Sequence, residues 1–367
     1  MKRSKLILPR GSVVKKYELK IIVLIAIAWT LIDLILFYLR MASNVLPVKY
    51  YEPGTNTAQA ILLREVNVFL LSFIIGFILV SLLRKFLINS SLWFNLLAKT
   101  VILVLVAMIM NFFIYGSYLM LIRDYTFQRA VSRFWMNTLR PEWIIPKMTE
   151  WVLLFLVTQL VIEINEKYSR GVFWDIMVGK YLQPQEEERI ILFVDLRNST
   201  PIAEKLGHKE YFEFIRDFIY CITAGIMEHD GRIYQYVGDE VVAWWPSSKV
   251  NAKRALASLI TSRKILNKNT EVFKRAYDIL PEYKAGMHTG NVMVGQVGIS
   301  KKELVMSGDT INTASRIRSA CNDYNQKFMV SKEIIELVGM EDWQSESVGM
   351  ADLKGKNQSV ELFALKI

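Results

Sequence analysis

Long apolar stretches occupy the first half of the chain, and shorter ones occupy the second half. Three of the long stretches approach the roughly 20 residues that a bilayer span requires. They are Ile21–Tyr38, Asn67–Leu83 and Thr100–Ile122. A fourth, Trp151–Ile162, is shorter and must extend back towards Trp143, past two charged residues, to cross a membrane. The pattern predicts an N-terminal domain of four transmembrane helices over residues 1–162.

Three charged residues lie in or near these stretches. Ionisable side chains inside a membrane are rare and costly, so each one is a candidate for a functional role. For Arg64 and Glu65 the sequence favours a position at the membrane interface. For Asp33, which lies inside the first stretch, a structural and a functional role are both open.

From residue 163 onwards the pattern changes to a connecting segment followed by an α+β domain. Residues 163–187 begin polar, place apolar residues at helical spacing and end near Pro184, which predicts a juxtamembrane coupling helix or a passive linker. The apolar run Ile190–Asp195 indicates a buried strand. The other predicted elements are a helix at Tyr211–Glu228, a hairpin at Arg232–Trp245, one helix at Asn251–Tyr277, a second hairpin at Tyr283–Val297, a helix at Thr310–Cys321, and strands at Lys327–Val330 and Glu361–Leu365. This order predicts a mainly antiparallel sheet over residues 188–367.

The formal net charge of +10 suggests a nucleic acid or an anionic membrane surface as a partner. All of the surplus lies in residues 1–164, which hold 18 Lys and Arg against 8 Asp and Glu, whereas residues 165–367 hold 27 of each kind. The basic residues flank the apolar stretches, so the positive-inside rule places the N-terminus in the cytoplasm. We therefore expect a multi-pass protein of the cell (inner) membrane, in contact with lipid, with no nucleic-acid partner and with a cytoplasmic second half. Two cysteines exclude a disulfide scaffold.

Two aspartates are the best candidates for chemistry in the second half. Asp195 ends a predicted strand, and Asp239 lies in the tight turn of a predicted hairpin. Carboxylates at neighbouring strand ends can share hard cations such as Mg²⁺, which takes oxygen ligands and retains substrate phosphates in its shell. The segment Leu196–Thr200 leads into a helix whose first backbone N–H groups can hold phosphate oxygens. The sequence contains no Walker-type phosphate loop, which disfavours a P-loop ATPase.

Taken together, five motifs of the second half resemble the catalytic domain of class III nucleotidyl cyclases. They are FVDLRNST, IYQYVGDEVVAWW, KAGMHTGNVMVGQVG, GDTINTASRI and LKGK, in that order between about Glu188 and Leu365. The segment GKYLQPQEEER also looks like the coupling segment that precedes this domain in membrane-bound bacterial members. The resemblance implies a ferredoxin-like sheet, two Mg²⁺ or Mn²⁺ ions per active site, and a homodimer whose two sites each take residues from both chains.

The resemblance also implies roles for individual residues, by their positions in the motifs. These residues are, for the metals, Asp195 and Asp239 with the backbone carbonyl of Leu196; for the phosphates, Ser199, Thr200, Lys284 and Lys354; for the ribose, Asn312; and for the charge of the transition state, Arg316. Asn312 and Arg316 are four residues apart and so share one face of a helix. In the family, the aspartates come from one chain and the Asn, Arg and Lys set from the other. This chain carries one complete set of both, which implies a homodimer.

The two positions that recognise the base depart from the family pattern. Gln235 stands where adenylyl cyclases usually have Lys and guanylyl cyclases usually have Glu, and an amide offers both a donor and an acceptor. Val305 stands where adenylyl cyclases often have Asp, Thr or Ser, and its side chain cannot hydrogen-bond. The absence of the guanylyl Glu favours ATP, so the expected function is an adenylate cyclase that makes cyclic AMP and pyrophosphate for intracellular signalling.

Two alternatives are open. The first is a guanylate or dual-specificity cyclase, because neither Gln235 nor Val305 selects a base. The second is a non-catalytic membrane receptor with a degenerate cyclase domain. The retained motif residues argue against the receptor, because a degenerate site usually loses several of them.

Overall fold

The computed structural model describes residues 6, 12–42, 57–83, 92–138, 141–167, 172–300, 302–339, 344–351 and 359–366. The chain divides into two compact units, one of residues Lys15–Lys167 and one of Tyr168–Ile367 together with Met1–Val14. The first is named the membrane unit and the second the sheet unit.

Helices make up the described part of the membrane unit. They are α1 Ser12–Ala42, α2 Thr57–Phe77, which continues as a π-helical turn over Ile78–Leu83, α3 Leu92–Leu121, α4 Phe127–Thr138 and α5 Pro141–Lys167. Four segments are long and apolar enough to cross a membrane, namely Tyr17–Leu39, Ala58–Ser81, Leu97–Leu121 and Ile144–Ile164. The prediction of four apolar N-terminal helices is therefore confirmed. The second and fourth segments begin earlier than the apolar runs alone indicate.

Charged residues are paired inside the membrane unit. The second segment begins at Ala58, so Arg64 and Glu65 lie within it and not at its edge. The Nη2 of Arg64 lies 2.6 Å from the Oδ2 of Asp33, and its guanidinium lies over the ring of Phe37 at 4.5 Å. An unpaired charge in hydrocarbon is costly, and for this reason such groups are normally found in pairs. Asp33 therefore has a structural partner on a neighbouring helix.

The sheet unit is built on an eight-stranded sheet. Its strands are β1 Gln185–Leu196, β2 Arg232–Val237, β3 Glu240–Pro246, β4 Tyr283–Val297, β5 Glu303–Ser307, β6 Phe328–Ser331, β7 Ser345–Ala351 and β8 Val360–Leu365. Their order is β2-β3-β1-β4-β6-β8-β7, with β5 paired to β4. Among the described strand pairs, β4 with β6 is parallel and the others are antiparallel. The prediction of a mainly antiparallel sheet is confirmed.

Six helices accompany the sheet in the described residues. They are α6 Val172–Met177, α7 Ser199–Glu228, α8 Lys249–Lys268, α9 Thr270–Tyr277, α10 Asp309–Asp323 and α11 Lys332–Val338. Helix α7 is kinked at Gly207, whose backbone is not helical (φ 70°), and so consists of two helical segments. Strands β1 to β4, with α7 after β1 and with α8 and α9 after β3, form the β-α-β-β-α-β arrangement of ferredoxin-like folds. The predicted fold class is thus confirmed at the level of strand order.

Strand β1 is buried on both of its faces. Ile190 and Leu192 join a core with residues of α7 and α8, whereas Ile191 joins a second core that also contains Val172 of α6 and Ala314 of α10. A strand covered on both faces has no solvent side. This double burial explains the unbroken apolar run at the start of the FVDLRNST motif.

Two predicted elements are wrong in detail. Strand β4 is continuous where the sequence predicts a second hairpin, and its partner β5 follows after a turn at Gly298. The glycines that suggest a turn serve another purpose, because a Cβ at Gly286 would collide with the backbone of Arg318 in α10. The single helix predicted over Asn251–Tyr277 is two helices, α8 and α9, which meet at Asn269.

Candidate active site

Asp195 stands at the end of β1 between charged neighbours on both adjacent strands. On one side it lies directly opposite Lys284 of β4. On the other side Val194 lies opposite Val241 of β3, so the next position along the pair brings Glu240 beside Asp195. Cross-strand neighbours project from the same face of a sheet. The register therefore brings two carboxylates and one ammonium group together.

Arg318 of α10 completes this cluster. Its Nη1 lies 3.1 Å from the Oδ2 of Asp195, and its Nη2 lies 2.5 Å from the Oε2 of Glu240. The Nζ of Lys284 lies 3.3 Å from the same Oδ2 and also donates to the Oδ1 of Asn322 at 3.3 Å. The four charged side chains are at most 20% exposed, so water screens these interactions only in part. We name Asp195, Glu240, Lys284 and Arg318 the carboxylate cluster.

Asp239 lies in the turn between β2 and β3, next to Gly238, whose φ of 62° is a conformation that glycine adopts without strain. The Oδ2 of Asp239 is buried and accepts no hydrogen bond from the described residues. Burial, followed by the nearby carboxylate of Asp195, raises the pKa of Asp239 above its ordinary value. A hard divalent cation prefers carboxylate oxygens. An unpartnered buried oxygen beside a second carboxylate fits such an ion.

The described part of the chain contains no cluster of three or more His, Cys, Asp or Glu residues that could hold a metal. The candidate ligands are therefore the two aspartates and backbone groups of the turn that follows Asp195. The side chain of Leu196 is buried in the core, so a role for this residue in the site falls to its backbone.

The turn after Asp195 leads into the N-terminus of α7. Asn198 caps this helix with a left-handed φ of 57° and makes no side-chain cap hydrogen bond. The first N–H groups of the helix, near Ser199 and Thr200, are therefore not occupied by that side chain. A helix N-terminus attracts phosphate through such groups and through the helix dipole.

The two predicted base-recognition residues lie on strands that are tied together. Gln235 is exposed on β2, and Val305 is half-buried on β5. Their sequence neighbours meet, because the backbone N–H of Met306 donates to the hydroxyl of Tyr234 at 3.0 Å. The structure thus brings the strand segments of both positions into one region of the sheet unit.

The structure does not bring the predicted ribose and transition-state residues to Asp195 of the same chain. Asn312 is exposed and Arg316 is half-buried on α10. Among the described residues, the cations that pair with Asp195 are Lys284 and Arg318. The predicted Lys354 lies outside the described residues.

Sequence reasoning missed two members of the carboxylate cluster, Glu240 and Arg318. Glu240 directly follows Asp239 and begins the strand beside β1, so the strand register could have identified it. Arg318 lies two residues after Arg316, and its contact with Asp195 depends on which face of α10 meets the sheet. No sequence pattern in this chain reports that orientation.

The sheet unit is an α+β domain with a ferredoxin-like sheet. Two aspartates of this sheet lie beside a helix N-terminus, an arrangement suited to nucleotide phosphates. The family model for the adenylate and guanylate cyclase catalytic domain matches residues 182–366, about half of the chain. The chain belongs to this family, the class III nucleotidyl cyclases.

The individual relatives share about a quarter of their residues with this chain, or fewer. The chain is 26% identical over 207 residues to adenylate cyclase 2 of Rhizobium meliloti (strain 1021), a match that covers 56% of this chain and 57% of that protein. It is 26% identical over 181 residues to retinal guanylyl cyclase 2 of Rattus norvegicus, which covers 48% of this chain and 16% of that protein. A solved bacterial light-regulated adenylyl cyclase has a similar fold, with a TM-score of 0.51 and 20% identity over 59% of this chain and 64% of that chain. The chain spans less than two thirds of the length of each.

Proposed function

We propose that this chain is a membrane-anchored adenylate cyclase that converts ATP to cyclic AMP and pyrophosphate in a homodimer. The observation that carries the proposal is the meeting of Asp195 and Asp239 at neighbouring strand ends, beside the start of α7, in a member of the cyclase family. The choice of ATP is supported by relatives named adenylate cyclases in Rhizobium meliloti (strain 1021) and Anabaena cylindrica.

Each residue of the proposed site has a chemical task. Asp195 and Asp239, with the backbone carbonyl of Leu196, would hold two Mg²⁺ or Mn²⁺ ions. Such an ion supplies positive charge that lowers the pKa of the ribose hydroxyl and offsets the charge of the phosphates. The first N–H groups of α7, at Ser199 and Thr200, would bind phosphate oxygens. On the next strand, Lys284 would add positive charge beside the same phosphates.

The proposed reaction is an in-line displacement at the α-phosphorus. The bond from the ribose 3′-oxygen to the α-phosphorus forms, and the bond to the oxygen that bridges to the β-phosphate breaks. Pyrophosphate leaves with the electron pair, and the hydroxyl proton passes to water. Arg316 of the facing chain would stabilise the charge that develops on the α-phosphate. From the same chain, Asn312 would orient the ribose and Lys354 would bind the triphosphate.

A guanylate or dual-specificity cyclase is the second candidate. The amide of Gln235 is exposed on β2 and can donate to one base edge or accept from another. The side chain of Val305 offers no hydrogen bond to either base. Retinal guanylyl cyclases also stand among the relatives of similar identity.

We also propose that the N-terminus and the sheet unit lie in the cytoplasm, with the four apolar segments in the cell (inner) membrane. An even number of spans returns the chain to the side on which it began, and the basic flanks favour the cytoplasm for that side. A protease added to the outside of spheroplasts should leave the sheet unit intact. Cleavage within it would contradict this orientation.

The test is a membrane assay with ATP or GTP, in Mg²⁺ or Mn²⁺, that measures both cyclic products. Asp195→Ala and Asp239→Ala should each lower turnover about 100-fold or more. Each change removes a proposed ligand of the metal ions, whose positive charge would stabilise the transition state. Asp230→Asn, at an exposed aspartate of the same unit, is the control and should leave turnover unchanged, because Asn tolerates the left-handed backbone of this position. Cyclic GMP without cyclic AMP would overturn the choice of ATP. If a folded dimer makes neither cyclic product, the result would favour the alternative of a non-catalytic membrane receptor.

A further inference from the structure

Arg318 and Arg316 lie on different sides of α10. Residues two apart on a helix do not face each other, whereas Asn312 and Arg316, four apart, share one face. At Gly286 the absence of a Cβ lets the backbone of Arg318 lie directly against β4. The helix therefore presents Arg318 to the carboxylates of its own chain, and this position is fixed by a backbone contact.

The guanidinium of Arg318 connects two carboxylates at once. One nitrogen pairs with Asp195 at 3.1 Å, and the other pairs with Glu240 at 2.5 Å. A planar guanidinium holds its two nitrogens in a fixed geometry, which an ammonium group cannot do. Movement of Glu240 or loss of its charge would therefore change how Arg318 meets Asp195.

Both cations that pair with Asp195 use the same oxygen. Arg318 contacts Oδ2 at 3.1 Å and Lys284 contacts it at 3.3 Å. Two cations on one carboxylate weaken its attraction for a third. Glu240 limits this effect, because it holds the second nitrogen of Arg318 and so prevents a bidentate grip on Asp195.

We propose that Arg318 and Glu240 are a pair of positioning residues for Asp195, in which Arg318 orients the carboxylate and Glu240 keeps it available to a divalent cation. This inference rests on the proposed function, which makes Asp195 a metal ligand. It predicts that removal of the two partners has opposite effects on cation affinity. A pair that only held the fold together would weaken cation binding whichever partner is lost. The change of charge alone gives the same opposite signs as the proposal, so the fall in kcat of Arg318→Met is the readout that tests the orientation of Asp195.

The experiment measures Mn²⁺ binding to the full chain in detergent, without nucleotide, from the electron paramagnetic resonance signal of free Mn²⁺. Glu240→Gln keeps the shape of the side chain and removes its charge, so Arg318 should turn to Asp195 and the Kd for Mn²⁺ should rise about three- to ten-fold. Arg318→Met leaves Glu240 unpaired beside the site, so the Kd should fall by a similar factor. Arg318→Met should also lower kcat with little change in KM, because Asp195 is no longer oriented.

The matched controls are Arg254→Met and Asp230→Asn, which break an exposed ion pair of 3.1 Å in the same unit and should leave the Kd unchanged. Thermal unfolding of each variant checks that it folds, and the near-isosteric Glu240→Gln still tests the inference if Arg318→Met does not fold. Shifts of the Kd in the same direction, or no larger than those of the controls, would overturn the pairing. If Asp239→Asn binds Mn²⁺ as tightly as the unchanged chain, the proposed function fails instead.

Discussion

Gly286 has the tightest structural requirement of the residues around the carboxylate cluster. A Cβ there would overlap the backbone N and Cα of Arg318 and approach the carbonyl of Ala314 at 2.8 Å. Backbone atoms cannot move aside as the end of a flexible side chain can. Any larger residue must therefore displace α10 from the sheet, and with it every residue that the helix presents.

We predict that Gly286→Ala lowers the stability of the sheet unit and abolishes cyclase activity. Overpacking of a tight contact costs about 2 kcal/mol, which corresponds to a fall in Tm of roughly 4–8 °C for a unit of this size. Differential scanning fluorimetry and the membrane assay measure the two effects. On the same strand, Gly295→Ala is the milder comparison, because its Cβ would meet the Cα of Pro184 at 3.3 Å, a contact that a shift of a few tenths of an ångström relieves. Equal behaviour of the two variants would contradict the proposed contact.

Both thiols are expected to be unreactive in the folded protein. Cys221 and Cys321 are buried, and burial raises the pKa of each thiol to about 12. The thiolate is the reactive form, so iodoacetamide at pH 8 should label neither residue in the native state. Mass spectrometry of intact chains before and after denaturation measures the difference. Rapid labelling of the native chain would show that one of the two sites opens.

At the scale of elements, α6 packs on the sheet through apolar contacts, and the residues that directly follow it are attached to β1 by polar contacts with Glu187. Arg189 of β1 is 1% exposed, lies 3.5 Å over the ring of Trp244 and pairs with Glu187 at 2.6 Å. The residues that follow α6 join this group, because Lys180 pairs with Glu187 at 2.8 Å and the hydroxyl of Tyr181 donates to it at 3.1 Å. The juxtamembrane segment and the catalytic sheet therefore share one cluster of charges.

We predict that Glu187→Ala lowers the Tm of the sheet unit by several degrees. The change leaves the buried charge of Arg189 without its carboxylate, at a cost of about 3 kcal/mol. Glu186→Ala, at the exposed neighbour on the same strand, should have almost no effect. A Tm for Glu187→Ala within a degree of that of the control would mean that Arg189 does not depend on Glu187.

The same cluster should be sensitive to acid. Burial alone would raise the pKa of Glu187, but hydrogen bonds from Lys180 and Arg189 outweigh it and lower the pKa below its ordinary value. A lowered carboxyl pKa contributes stability that is present above the unfolded-state value and is lost as the pH falls through the folded-state value. The Tm difference between the unchanged chain and Glu187→Gln should therefore shrink below about pH 4.5. A difference that is independent of pH would exclude this origin.

Sequence patterns predicted the elements better than the contacts between them. The four apolar helices and the buried strand β1 follow from runs of apolar residues, which report burial directly. Asp195 and Asp239 could be paired in advance because strand ends and hairpin turns have characteristic residues. The glycines of β4 were misleading, because the same residue marks a turn or a close helix contact. Arg318 was out of reach, since its role depends on how α10 is rotated about its axis.

At the scale of the whole molecule, the proposed homodimer divides each site between two chains. Arg316 does not pair with Asp195 of its own chain, which agrees with a role in the facing site. A symmetric dimer with this arrangement contains two equivalent sites. In a dimer with one variant chain, a change at Asp195 therefore inactivates one of the two sites, and a change at Arg316 in the same chain inactivates the other site.

We predict that two inactive variants restore activity when they are co-expressed. In a mixed dimer of Asp195→Ala and Arg316→Ala chains, one site carries both defects and the other carries none. Random pairing should give about one quarter of the unchanged activity, because half of the dimers hold one intact site of two. Co-expression of Asp195→Ala with Asp239→Ala is the control and should stay inactive. Equal activity in both mixtures would exclude a site shared between chains.

The apolar cluster that joins α6 to α10 has a thermodynamic consequence. Val172 of α6 and Ala314 of α10 pack in one core against β1, so the first helix of the sheet unit and the helix that carries Arg316 share the same buried side chains. Coupling between two binding events is reciprocal, with the same factor in both directions. Any stimulus that alters nucleotide affinity through this core must itself be bound more or less tightly when nucleotide is present.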